Sequence, residues 1–165
     1  MKTNPVALML AAAVNSGSIG SLGILHLPRL WSKVVFEGDI KLDEEAIRLE
    51  SYFDEVVLRG IGIDPKSVFE YLRSEKPTYP DFEEWILERA GAKLDDDAVA
   101  EINRKILAHE HEERISERIL RECGLGNPQD IGKTPRTALH LNNLRMGNIA
   151  DCIQEIDLHQ FSFAA

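Results

Sequence analysis

Histidine, guanidinium, indole and ammonium groups are crowded into one short stretch, His26-Leu27-Pro28-Arg29-Leu30-Trp31-Ser32-Lys33. An imidazole can transfer protons near neutral pH, which makes His26 a candidate general acid or base. Arg29 can grip a carboxylate with two parallel N–H bonds, and Lys33 adds a second anion anchor. Trp31 would supply an apolar wall. A structural role competes with this one: Arg29 would cap carbonyls freed by Pro28, and Trp31 would simply be core. A second polar block, His140-Leu141-Asn142-Asn143, falls in a predicted helix, where asparagine is disfavoured because its amide competes for backbone groups. Either the two amides satisfy buried backbone groups or they line a polar pocket, with His140 as a second acid–base candidate. Trp85 is a further candidate apolar wall. The sequence leads us to expect His26 and Arg29 to border one site with the His140–Asn143 block.

Other constellations are weaker. In Ala108-His109-Glu110-His111-Glu112-Glu113 the two histidines are two residues apart and would point away from each other on a helix. A di-iron bundle needs repeated inward Glu-x-x-His elements, and none is present. A charged bend with no metal is expected there. Gly17, Gly20 and Gly23 lack the strand-before, helix-after context of a dinucleotide fingerprint, and no Gly-Lys-Ser/Thr follows them. No cofactor is implied. Ser16, Ser18 and Ser21 sit in that Gly/Ser turn without a recognisable base, so covalent catalysis is not expected. Cys123 and Cys152 are far apart and read as structural thiols.

The elements that must position these groups read as helices almost throughout. Asn4-Pro5 opens a helix to about Val14, and a second runs from about Leu22 to Phe36 with a kink at Pro28. Asp43-Glu44-Glu45 starts a third, whose apolar stripe is Ala46, Leu49, Phe53, Val56 and Val57, and Gly60 and Gly62 end it. Asp64-Pro65 caps the next, which buries Val68, Phe69 and Leu72. After the turn Lys76–Pro80 come a short helix with Phe82, Trp85 and Ile86, stopped by Gly91, and a longer one capped by Asp95-Asp96-Asp97. The latter buries Val99, Ile102 and Ile106, and a phase change at Ile115 and Ile119 demands a break near residues 108–113. Thr134-Pro135 caps a helix to about Met146, and Gly147-Asn148 restarts the last. The sequence therefore predicts one all-α domain over residues 1–165 with about eight short helices.

Composition narrows the function classes. Nineteen basic residues against twenty-eight acidic give a formal net charge of −9, and no Lys/Arg run exceeds two, so nucleic acid is not an expected partner. No stretch approaches the roughly 18 apolar residues of a membrane span. The segment Val6–Val14 faintly resembles a signal peptide, but a single lysine precedes it and Asn4-Pro5 reads as a helix start, so a cytoplasmic location is expected.

The block Leu27-Pro28-Arg29-Leu30-Trp31-Ser32-Lys33 resembles the Leu-Pro-Arg-Leu-x-x-Lys block of a bacterial family known as domain of unknown function 5069. The likeness continues in Gly62–Phe69, Tyr79–Arg89 and His140–Leu144, short blocks spread over about two thirds of the chain, while Arg145-Met146-Gly147 stands where one branch has Asp-Asp-Trp. The resemblance implies a small helical fold and a bacterial cytoplasmic origin, and carries no reaction. Two function classes follow from the residues themselves. One is a small cofactor-independent enzyme of cyclase, isomerase or lyase type, working by acid–base chemistry on a small, anionic substrate in a specialised pathway. The other is a non-catalytic accessory protein that binds a partner or small molecule in a helical groove.

Overall fold

The computed structural model describes residues 13–37, 52–90, 94–125 and 137–145. The fold is all-α: six helices are given among these residues, 138–145 are also helical, and no strand is present among them beyond one isolated bridge between Glu110 and Thr137. The chain divides into two compact units, Met1–His109 and Glu110–Ala165.

The first unit is organised around α1 (Leu27–Val35), which packs against α2 (Tyr52–Ile61), α3 (Pro65–Glu75) and α4 (Tyr79–Ala90). Every residue of α1 except Trp31 is buried. Its start corrects the expectation of a helix from Leu22 kinked at Pro28. Pro28 lies in the first turn, where the missing N–H would have had no intrahelical partner, so the helix begins at the proline instead of bending there. The chain enters through a left-handed His26, with φ 68°. Asn103 of α5 (Asp96–Ala108) fixes that entry, accepting from the Leu25 N–H and donating to the Gly23 carbonyl, both at 2.8 Å.

The predicted caps at Asp64 and Asp95 are present: Asp64 accepts from the Ser67 N–H and Asp95 from the Ala98 N–H. Pro80 belongs to the first turn of α4 and not to the turn before it. Gly60 lies inside α2, where α5 crosses, and a Cβ there would overlap Cγ1 and Cδ1 of Ile102. Gly62, with φ 69°, makes the stop just after the helix. Ile102 and Ile106 are fully buried in this crossing, and Val99 is half-buried.

The second unit contains α6 (Glu113–Glu122) and the helical residues 138–145. Ile119, Leu120 and Leu141 form its core, flanked by Ile115, Cys123, Leu125 and Leu144. The expected break is real: α5 ends at Ala108, His109 has extended backbone, and α6 begins at Glu113. The helix starts at Asn4-Pro5, Asp43 and Gly147, the cap at Thr134-Pro135, the stop at Gly91 and the thiol of Cys152 lie outside the described residues.

Candidate functional site

Two helices of the first unit bring four ionisable side chains together in its interior. His26 precedes α1, and Arg29 and Lys33 lie one turn apart along it. Asp54 faces them from α2. Its Oδ1 is 2.8 Å from His26 Nε2, and its Oδ2 is 2.5 Å from Lys33 Nζ. Side-chain exposure is 4% for His26, 5% for Lys33 and zero for Asp54. Arg29 is buried as well and donates from Nη1 to the Val14 carbonyl at 3.4 Å. Phe53, the residue before Asp54, presents its ring edge-on to the His26 imidazole at 5.3 Å.

Electrostatics fixes the protonation states. Burial works to raise the Asp54 carboxyl, but the His26 hydrogen bond and the Lys33 ammonium hold it well below the usual carboxylate range. Burial lowers His26 below the ordinary imidazole value, and Asp54 only partly offsets this. Lys33 is likewise lowered by burial and partly restored by Asp54. At neutral pH the cluster therefore holds an ionised Asp54, a neutral His26 and an ammonium on Lys33. An ionised carboxylate only accepts, so His26 Nε2 must carry the ring proton. His26 Nδ1 is then a bare lone pair, and it is buried with no hydrogen-bond partner among the described residues. Lys33 likewise uses only one of its three N–H groups among the described residues.

His26 is unusual in a second way. Its left-handed backbone costs a non-glycine residue about 1–3 kcal/mol and persists only where the surroundings over-determine it, as the Asn103 bridge does. Strain and an unsatisfied buried nitrogen coincide on one side chain.

Trp31, Trp85 and the His140–Asn143 block are not among these four clustered side chains. Trp31 donates from its indole N–H to the Pro77 carbonyl at 2.9 Å and packs edge-on against Phe36 and Tyr79. Trp85 is stacked on Tyr71 at 4.5 Å beneath the Arg89 guanidinium. His140, Asn142 and Asn143 belong to the second unit. There His140 is exposed, Asn143 is half-buried, and Asn142 Oδ1 accepts from His111 Nε2 at 3.0 Å. Among the described residues, no three His, Cys, Asp or Glu side chains group closely enough to hold a metal ion.

The Gly/Ser turn has an occupant of its own. Glu83 of α4 accepts from the N–H and hydroxyl of Ser21, the N–H of Leu22 and the hydroxyl of Tyr79. These donors, together with burial that opposes them, leave its carboxyl below the ordinary value. A carboxylate so fully donated to is a weak base, which makes Glu83 a clasp on the turn and leaves Ser21 unactivated. Gly20 is required there, because a Cβ would overlap Glu83 and Tyr79.

Asp54 is the site residue that sequence reasoning missed. The signal was in its position: Leu58 and Ile61, four and seven residues on, are 5% and 1% exposed, so a carboxylate occupies the apolar stripe of its helix. No protein-family model matches the chain, and neither the curated proteins nor the solved structures contain a match. No helix among the described residues is long and apolar enough to cross a membrane.

Proposed function

We propose that the protein is a small cofactor-independent enzyme in which His26 is the general base, acting on a small anionic substrate. The observation that carries this is the division of labour on one imidazole. Asp54 holds Nε2 and with it the tautomer and ring orientation, while Nδ1 points into the interior with nothing to accept. This is the arrangement a proton-abstracting histidine requires, since Asp54 also stabilises the imidazolium formed when Nδ1 takes a proton. Lys33 and Arg29 supply the anion anchors. The Leu27–Lys33 block is almost the whole of α1 and carries both cations; on the resemblance of its residues to the domain of unknown function 5069 family alone, we place the chain beside that family as a divergent member.

The test is a titration with acetate, lactate and pyruvate followed by NMR of the histidine ring signals. Saturable shifts of the His26 resonances, lost in a folded His26→Gln protein, are the expected result. Shifts confined to His140 or His111, or no saturable shift, would remove the proposal.

A further inference from the structure

Among the described residues, the unused hydrogen-bonding capacity of His26 and Lys33 is specific: one acceptor on His26 Nδ1 and two donors on the Lys33 ammonium. An anion alone would use the donors and leave the acceptor empty. A molecule that matches both presents an oxygen to Lys33 and an acidic hydrogen to His26. From this pairing we propose that the substrate is a small carbonyl compound with an acidic C–H beside the carbonyl, such as a short 2-oxo acid, and that the reaction begins by enolisation. The proposal rests on His26 being the base, as argued above, and adds the reaction type and substrate class.

The step balances within the cluster. The C–H bond breaks and its proton forms an N–H bond on His26 Nδ1. The C–H electron pair becomes the carbon–carbon double bond, and the carbonyl π pair moves onto oxygen. That oxygen, now an enolate, accepts from the Lys33 ammonium, which stabilises charge where it develops. Asp54, bonded to both His26 Nε2 and Lys33 Nζ, faces an imidazolium and an ammonium at this point and compensates one of them. Replacement of that proton on His26 Nδ1 by one from solvent, followed by its delivery to the same carbon, completes an exchange of hydrogen at that carbon. No oxidant, reductant or added cofactor takes part.

The experiment follows the methyl signal of pyruvate in D2O by NMR over a day, long against the minutes-to-hours opening of buried sites. The full-length wild-type chain is expected to replace methyl hydrogen by deuterium. A folded His26→Gln protein should fall by about a hundredfold or more, the usual worth of a general base. Lys33→Met should also fall, and Lys66→Met, an exposed lysine on α3, should match wild type. Borohydride added with pyruvate should leave the protein mass unchanged. Equal exchange by wild type and His26→Gln would overturn the inference, as would a borohydride-trapped adduct on Lys33. Saturable pyruvate shifts at His26 without exchange would overturn enolisation while leaving His26 as a binding group. Absence of both would remove the proposed function as well.

Discussion

Asp54→Asn is the most informative single perturbation. The carboxylate receives His26 Nε2–H on one oxygen and the Lys33 ammonium on the other, with no solvent exposure. An asparagine amide has one acceptor oxygen, so its NH2 must face either the Lys33 ammonium or the His26 N–H, donor against donor. Lys33 would keep its charge in the interior without a carboxylate. Removing one partner of a buried pair costs about 3–5 kcal/mol, mostly through the charge left behind. For a unit of this size each kcal/mol is worth about 4–8 °C, so Tm should drop by at least roughly 12 °C. Lys33→Met alone should also destabilise, by stranding Asp54. The double variant removes both charges, and the thermal or urea unfolding of all four proteins closes a cycle. We expect the double variant to be more stable than the sum of the singles by about 2–3 kcal/mol. Additive losses would refute the claim that Asp54 and Lys33 form one buried electrostatic unit.

Other predictions follow from the same contacts. Both His26 and Asp54 have lowered pKa values in the fold, so below pH 6.5 the unfolded chain binds more protons and stability must fall with acidification. The His26 contribution, at most about 1.4 kcal/mol per pH unit, begins at the imidazole value. The Asp54 contribution begins at the carboxylate value of 3.8, and His26→Gln should flatten only the upper part of a urea-midpoint profile. Gly60→Ala should destabilise by about 1–2 kcal/mol despite the better helix propensity of alanine, because the added Cβ meets Ile102. Adding Ile102→Ala should remove most of that incompatibility, visible as a non-additive Tm. Glu83→Gln should cost about 1.5–3 kcal/mol and speed amide exchange at either Ser21 or Leu22, since these bond to different oxygens and the NH2 that replaces one of them cannot accept. Unchanged exchange there would contradict the clasp.

The helices were legible where their signals are local. Asp64 and Asp95 cap where an acid precedes an apolar stripe, and the phase change between Ile106 and Ile115 marks a true break, because caps and periodicity depend on residues within a few positions. Pro28 was misplaced because the same ring that kinks a helix also starts one, and the choice depends on Asn103, about 80 residues away, holding the entry. The site was half legible. His26, Arg29 and Lys33 stand out by type and spacing, whereas Asp54 is one acid among twenty-eight and is singled out only by the apolar residues along its helix. The Glu83 clasp joins positions some sixty residues apart, and no local pattern announces it.

The central claim is that His26 is a neutral, oriented imidazole with a free buried Nδ1. The most direct test is 15N NMR of histidine-labelled protein, titrated downward from pH 7, with His26→Gln used to assign the signals. The account predicts a ring protonated on Nε2 and bare on Nδ1, keeping that state as the pH falls through the ordinary imidazole value of 6.5. A proton on Nδ1 at pH 7, as the other tautomer or as imidazolium, would contradict it.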